Sequence, residues 1–369
     1  MARPQVSVNI SEALPVASLP TATGTLFYAF AGTGGPLVPT SVTSAAEAET
    51  AGVPAAIATQ IGDALSQGVP EVIVLRAAAE SATAVTETEW ATALDLLAPS
   101  FGPGQVTIPG VASTAAHTAL LAHVAANPQR VAFLDVGEND TAATIATTAA
   151  ALAATAGAER TGLFGPWVQL PGTTGARAVP ASLVAAGLAA RGDAAVGNAN
   201  HAPIFDQGRG AGSVRNGLGV VSAFGDGEVD TLYDAGANVF RDVLGVVTLT
   251  GWKSLGTDAV WRQLNIGRLT AEISARISSL MYQYLGSPID GQGILLSQVA
   301  GDISGYLLGL HTARALYGDT PEDAYEIVCD FSNNTAETIA NGEVHADIAI
   351  TASTAAEQIV INIVTSLAG

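Results

Sequence analysis

The sequence is poor in charged residues, and in cations above all. Its 369 residues include 14 Lys and Arg against 33 Asp and Glu, which gives a formal net charge of −19. The only lysine is Lys253. A chain with so few cations has no basic surface to neutralise a row of phosphates, so nucleic acid is not expected as a partner. A polybasic contact with a membrane is excluded for the same reason.

Cysteine and long apolar runs are also scarce. Cys329 is the only cysteine, so an internal disulfide is excluded and a reducing folding compartment is expected. The first residues, Met1-Ala2-Arg3-Pro4, lead into alternating polar and apolar positions rather than into the apolar segment of a signal peptide. The uncharged window 141–158 is mostly Ala and Thr and falls short of the roughly 20 apolar residues that a bilayer span needs. It predicts an amphipathic surface helix, and no direct membrane insertion is expected.

Motifs that would hold a cofactor are weak. Gly32-Thr33-Gly34-Gly35 follows a predicted strand, but Leu37 stands where a dinucleotide loop has its third glycine, and Pro36 stands where the helix should open. Asp135 ends another predicted strand, where α/β enzymes place functional carboxylates, although a turn or capping role is more common for such a residue. An α/β nucleotide-binding enzyme of unknown substrate stays open as the alternative function, with its pocket expected near Gly32 or Asp135.

Metal ligands and nucleophiles are not arranged for chemistry either. His117 and His123 are six residues apart, so they do not share a helix face, and the other histidines are isolated in the sequence. Cys329 lies in a predicted strand on the face expected to be buried, where a thiol is inert. We therefore predict no catalytic residue, no cofactor and no metal site.

The apolar pattern predicts a layered α/β unit with a largely parallel sheet. Hydrophobic residues make up 49% of the chain, enough to bury a core, and the length suggests two or three domains at about 100–200 residues each. Between residues 25 and 167, short apolar runs alternate with Ala-rich stretches of helical periodicity. The predicted strands are Leu26–Phe30, Val72–Leu75, Gln105–Ile108, Val131–Leu134 and Leu163–Val168. The predicted helices are Ala55–Ser66, Glu87–Leu97, Thr114–Ala125 and Thr141–Ala156.

The rest of the chain predicts a connection followed by an α+β unit. Residues 170–227 are dense in Gly and Pro and are expected to be loop-rich, with one short helix at Ala181–Ala190. A helix capped by Thr270 is predicted to run to Leu285, and a second one carries apolar residues from Leu295 to Leu310. Two strands follow, around 325–331 and 344–350, joined by a helical turn near Thr335–Ala340.

Both chain ends read as strands with an apolar face. Alternating polar and apolar residues place three apolar side chains on one face of each end: Val6, Val8 and Ile10, and Ile359, Ile361 and Ile363. One interpretation is that both ends pair with the chain's own sheet. The other is strand exchange, in which each end adds to a sheet edge of a neighbouring copy, and a head-to-tail exchange that does not close gives a helical filament.

The order of short motifs from about residue 160 onward resembles the contractile phage tail sheath family, which includes the sheaths of related injection systems. The motifs are Gly165-Pro166-Trp167-Val168, Val179-Pro180-Ala181-Ser182, Ala190-Arg191-Gly192-Asp193, Asp234-Ala235-Gly236-Ala237-Asn238, Gly245-Val246-Val247-Thr248-Leu249, Leu264-Asn265-Ile266-Gly267-Arg268-Leu269, Ala315-Leu316-Tyr317-Gly318, Pro321-Glu322-Asp323-Ala324-Tyr325 and Gly342-Glu343-Val344. The family usually has Arg where Val247 stands, and a second Arg where Gly267 precedes Arg268. The N-terminal half resembles the family only in layout.

The resemblance implies a structural, non-enzymatic subunit. Such subunits polymerise around an inner tube and contract to drive the tube through the target envelope. It implies a strand-exchange arm at 1–20, an α/β outer domain at 21–222, an α+β inner domain facing the tube at 223–356, and a C-terminal arm at 357–369. The implied partners are further copies in a helical array of stacked rings, the inner tube protein, and baseplate and tail terminator proteins. The implied location is a virion tail assembled in the host bacterial cytoplasm, with phage and injection system left open.

Overall fold

The computed structural model describes residues 23–77, 84–195 and 212–356. The strands in these ranges are β1 (Leu26–Phe30), β2 (Thr40–Val42), β3 (Val72–Arg76), β4 (Gly104–Thr107), β5 (Arg130–Asp135), β6 (Thr161–Gly165), β7 (Val168–Gly172), β8 (Gly175–Val179), β9 (Gly219–Val220), β10 (Ala237–Val243), β11 (Val246–Thr250), β12 (Tyr325–Val328) and β13 (Asp347–Ile350). The helices are α1 (Ala45–Thr50), α2 (Ala55–Gln67), α3 (Glu87–Leu94), α4 (Thr114–Ala126), α5 (Ala142–Leu152), α6 (Ala181–Ala195), α7 (Asp226–Asp234), α8 (Leu264–Met281), α9 (Ile294–Thr312), α10 (Pro321–Ala324) and α11 (Ala336–Ala340).

Eight strands form one main sheet in the order β11-β10-β6-β5-β4-β1-β3-β2. Its inner strands are parallel, and antiparallel pairs occur at the two edges, between β2 and β3 and between β10 and β11. Buried parallel strands are apolar on both faces. They therefore appear in the sequence as continuous apolar runs, which is why they could be predicted. The predicted layered α/β class with a largely parallel sheet is confirmed.

Alternating residues of each strand enter two cores on opposite faces of the sheet. In β1, Leu26, Tyr28 and Phe30 face one core, and Phe27 and Ala29 face the other. The first core is covered by α2 and α6, and the second by α3, α4, α5 and α7. The predicted amphipathic helix in 141–158 is α5, which begins after its N-cap Thr141 and buries Ile145 and Leu152.

The segment after residue 170 differs from the expected loop-rich connection. Strands β7 and β8 form a hairpin, and β9 joins it in a small antiparallel sheet. The short helix expected at 181–190 is α6, which continues to Ala195 and buries nearly every residue. Helix α6 consists mostly of small apolar residues and packs on every side. Without a polar face, its sequence has no helical periodicity from which its length could be predicted.

The main sheet also continues past the predicted domain boundary at residue 222. Strand β10 pairs in parallel with β6, and β11 completes this edge. Residues 237–250 therefore belong to the main sheet, whereas the sequence prediction assigned them to the inner domain. Their apolar run did not reveal which sheet they join.

The last hundred residues contain the two predicted long helices and two short strands. Helix α8 begins at Leu264, so Thr270 is inside it and donates its hydroxyl to the carbonyls of Ile266 and Gly267 rather than capping the helix. Strand β12 ends at Val328, so Cys329 lies just beyond it, buried as expected. Among the described residues, no helix has the length and apolarity to cross a bilayer.

Candidate subunit-interaction site

The six residues predicted to exchange strands are not among the described residues. Val6, Val8 and Ile10 precede residue 23, and Ile359, Ile361 and Ile363 follow residue 356. The described part of the chain nevertheless contains a small sheet with open edges at which a further strand would fit.

Strands β12 and β13 form a sheet of two strands. They pair antiparallel from Tyr325 with Ile350 to Val328 with Asp347, and within the described ranges neither strand pairs with a third strand. Each outer edge therefore presents backbone N–H and C=O groups that can receive another strand. A two-stranded sheet is only marginally stable alone, and this one depends on its packing against α8 and α9.

An apolar groove runs beside β13. Its volume is about 720 Å³. The residues around it are the C-terminal half of α8 with the turn that follows, one face of α9, α11, and β13 with the residues before it: Ile277, Met281, Tyr284, Leu285, Ile289, Leu295, Val299, Ile303, Ile339, Val344, Ala346 and Ile348. No residue of β12 is among them, so the groove lies at the open edge of β13.

Sequence features at both ends of the groove explain its shape. Helix α8 runs into a short 3-10 turn, Tyr282–Tyr284, and Gly286 with a φ of 85° reverses the chain just after it. On the other side, Gly342 with a φ of 77° ends α11 and turns the chain toward β13. Leu285 is 72% exposed and Val344 is 36% exposed. Apolar side chains exposed around a concave surface are typical of an interaction site.

Asp135, the carboxylate considered for the alternative function, is occupied by internal hydrogen bonds. Its side chain accepts from the backbone N–H of Gly110 at 2.9 Å, the backbone N–H of Ser182 at 2.7 Å and the hydroxyl of Ser182 at 2.6 Å. Burial raises its pKa to about 6, and these hydrogen bonds oppose the rise. The side chain is 1% exposed and lies at the N-terminus of α6, so it caps that helix from a neighbouring strand.

The Gly32–Gly35 loop is not followed by a helix. Its carbonyl oxygens at Gly32 and Gly35 accept hydrogen bonds from the guanidinium of Arg76 at 3.0 and 3.2 Å. The chain then enters β2, and the next helix begins only after Ser44. A phosphate loop needs backbone N–H groups at a helix N-terminus. The loop therefore has no phosphate-binding geometry, and neither residue set proposed for a nucleotide enzyme forms a site.

The structure contains a buried ion pair that the sequence did not predict. The guanidinium of Arg268 in α8 pairs with the carboxylate of Asp193 in α6, and their side chains are 0% and 1% exposed. The hydroxyl of Thr23 donates to the same Asp193 oxygen at 2.7 Å. Burial raises the pKa of the Asp193 carboxyl, and Arg268 and Thr23 oppose that rise. A single Arg or Asp in a helix is usually exposed, so the pattern carried no signal for this cluster.

The two positions where the sequence departs from the sheath pattern are both tightly packed. At Gly267, an added Cβ would lie 2.9 Å from the carbonyl oxygen of Glu159 and 3.0 Å from the Cγ of Arg160. Val247 is 2% exposed and belongs to the first core. Arginine would fit at neither position without movement of its neighbours. Among the described residues, no three His, Cys, Asp or Glu side chains are grouped to hold a metal.

Comparison with known proteins relates this arrangement to sheaths. No family model and no curated protein sequence matches the chain. The PVC sheath of an extracellular contractile injection system in its contracted state has a TM-score of 0.75 at 17% identity, covering 99% of each chain. The contracted helical sheath of the anti-feeding prophage has a TM-score of 0.73 at 17% identity, covering 99% of this chain and 100% of the other.

A crystallised sheath tail protein from Desulfitobacterium hafniense is similar over a smaller part. Its TM-score is 0.61 at 11% identity, with 88% of this chain and 93% of that chain covered. The two injection-system sheaths are matched over 99% of this chain, which includes both the main sheet and the C-terminal unit. The resemblance seen in the sequence is therefore confirmed at the level of structure, and over nearly its whole length the chain has the fold of contractile sheath proteins.

Proposed function

We propose that the chain is a structural, non-enzymatic sheath subunit that polymerises around an inner tube and contracts to drive that tube through a target envelope. The observation that carries this proposal is the apolar groove at the open edge of β13, in a chain whose fold is that of sheath proteins. A polymer held by backbone pairing needs no catalytic group. The internal bonding of Asp135 fits that view.

The groove is matched by the pattern of the chain's ends. A strand added at the edge of β13 points alternate side chains toward α8 and α9 and the others toward solvent. Val6, Val8 and Ile10 alternate with polar residues. Such a strand therefore places its apolar side chains in the groove and its polar side chains toward solvent. Ile359, Ile361 and Ile363 offer a second strand of the same spacing. We assign both ends as arms that add to the sheets of neighbouring copies.

The remaining assignments follow from this role. The α/β unit is the outer domain and the α+β unit after it is the inner domain that faces the tube. Partners are further copies in stacked rings, the inner tube protein, and baseplate and tail terminator proteins. The location is a contractile tail, formed in the bacterial cytoplasm. Contraction releases energy because outer domains gain buried contact area, and cryo-microscopy of both states without such a gain would rule this out.

Imaging of the purified full chain tests the proposal. We expect long hollow sleeves in negative stain, and a chain lacking residues 1–20 should remain as discrete particles because one donated strand is lost. Discrete monomers of the full chain would count against the proposal, and would favour pairing of both ends with the chain's own sheet.

A matched pair of variants tests the groove itself. Val344→Glu places a charge on the rim of the groove and should abolish sleeves, because burying an unpaired carboxylate is costly. Leu308→Glu makes the same change of charge at an exposed apolar position of α9 that does not line the groove, and it should assemble normally. Thermal melting of both monomers checks that they fold. Sleeves of normal length from Val344→Glu would exclude the groove as the receiving site.

A further inference from the structure

The described chain enters the main sheet at an interior strand, β1. Thr23 comes three residues before β1, and β1 lies between β3 and β4. Any tension on the segment before Thr23 would therefore act first on an interior strand, whose loss would open both cores. A subunit pulled by its N-terminal arm needs a point of attachment before β1.

Buried hydrogen bonds hold the chain at this point. The hydroxyl of Thr23 donates to the carboxylate of Asp193 at 2.7 Å. The backbone carbonyl of Thr23 accepts from the side-chain amide of Gln105, also at 2.7 Å. Asp193 is paired with Arg268. All four residues are buried, with exposures of 3% or less. Thr23, Asp193 and Arg268 join the start of β1, the end of α6 and the beginning of α8, which are distant in sequence.

Helix α8 connects this cluster to the groove. Arg268 lies in its N-terminal half, and Ile277 and Met281 in its C-terminal half line the groove. Nine residues separate Arg268 from Ile277, which is about 14 Å along a helix. The helix that receives the pull at one end therefore borders the receiving surface at the other.

We propose that the Thr23–Asp193–Arg268 cluster is a clamp that transfers tension from the N-terminal arm to α8 and keeps it from β1. The proposal rests on the arm exchange proposed above. Tension then passes through a subunit from its own arm to α8, and from the groove to the arm of the next copy, without extending the main sheet.

An ion pair suits this role better than it suits stability alone. A buried pair is weak evidence for stability, since apolar residues of similar volume often replace it without loss. Hydrogen bonds to charged groups are short and directional, so they resist displacement of the chain along its own axis. An apolar contact slides at little cost, because the hydrophobic effect has no direction.

Single-molecule pulling on the full chain tests the clamp without assembly. One handle is attached at the N-terminus and the other at Glu138→Cys, an exposed position after β5, so that the clamp is the first element under load. Thr23→Val removes only the hydroxyl. Its lifetime at constant force before the first extension should be about tenfold shorter than that of the chain with Thr23, in line with loss of a hydrogen bond to a carboxylate.

Thr161→Val is the matched control. Thr161 is fully buried in the same sheet, and its hydroxyl donates to the carbonyl of Gly157 at 2.8 Å, away from the arm. Both valine variants should melt at similar temperatures, but Thr161→Val should keep the lifetime under load, and Thr23→Ser should restore it. Equal lifetimes for the two valine variants would overturn the clamp. Short-lived Thr23→Val monomers together with an absence of sleeves from the full chain would instead overturn the proposed function.

Discussion

Asp135 and Ser182 join the end of β5 to the first turn of α6 by two hydrogen bonds. The carboxylate accepts from both the backbone N–H and the hydroxyl of Ser182, at 2.7 and 2.6 Å. The hydroxyl in turn accepts from the hydroxyl of Thr107 in β4 at 3.0 Å. The buried helix is thereby fixed against two strands of the main sheet at its N-terminus.

Ser182→Ala should destabilise the fold by about 2 kcal/mol. The change leaves Asp135 with one acceptor site unfilled and Thr107 without its acceptor, and each is fully buried. Urea denaturation measures the free energy of unfolding. Ser66→Ala is the control, because that hydroxyl donates to the carbonyl of Asp63 at 2.7 Å from an exposed position of α2 and should cost under 1 kcal/mol. Equal losses of unfolding free energy for the two variants would show that the buried Asp135–Ser182–Thr107 hydrogen bonds stabilise the fold no more than an exposed one does.

The pH dependence of stability should reflect two opposing buried groups. Burial raises the pKa of Asp135 to about 6, so its contribution to stability is full below pH 4 and is lost as the pH rises through 6. Burial lowers the pKa of His123 to about 4, with Arg130 adding to the effect, so its contribution is full above pH 6.5 and is lost as the pH falls toward 4. Each amounts to about 3 kcal/mol across that window.

His123→Gln isolates the contribution of His123, because Asp135 is present in both chains and cancels in the difference. Without the histidine, the free energy of unfolding should rise between pH 6 and pH 4 by about 2 kcal/mol relative to the unmodified chain. His117, whose pKa burial also lowers, stays in place in both chains and cancels in the difference. Urea unfolding at pH 7, 5.5 and 4 gives the comparison. A difference that stays constant across the three pH values would contradict the assignment.

The sequence predicted the strands of the main sheet because burial on both faces leaves continuous apolar runs. Leu26–Phe30 and Val131–Leu134 are such runs, and they agree with β1 and β5 to within one residue. It could not predict the environment of Asp135, since the partners come from Gly110 and Ser182, distant in sequence. A local pattern says nothing about which carboxylate will meet which helix end.

The first residues of the helices were also hard to predict from local sequence alone. Thr270 was predicted as a cap because threonine often precedes an apolar helical stripe. Helix α8 instead begins at Leu264 without a side-chain cap, and its first turn is fixed by packing against the main sheet. The groove beside β13 could not be predicted either, because it exists only where α8, α9, α11 and β13 meet.

Gly267→Ala should destabilise the chain by about 1–3 kcal/mol. The added Cβ would lie 2.9 Å from the carbonyl oxygen of Glu159, and the cost of overpacking exceeds the gain in helix propensity. Gly305→Ala in α9 is the control, because nothing lies within 4 Å of its added Cβ, and it should stabilise the monomer by about 0.5–1 kcal/mol. Urea denaturation of both variants measures the difference. A stabilised Gly267→Ala would mean that the chain around Glu159 moves readily.

Assembly should increase with salt. Copies with a net charge of −19 repel one another, and raising monovalent salt from 0.1 to 1 M shortens the screening length from about 10 Å to about 3 Å. The apolar groove and backbone pairing are not weakened by that change, so the repulsion falls while the attraction remains. Light scattering of the purified chain should therefore rise with added sodium chloride, and a neutral co-solute at equal osmolality should have a much smaller effect. Scattering that stays flat or falls with salt would mean that attractive ion pairs, rather than repulsion, dominate the contacts between copies.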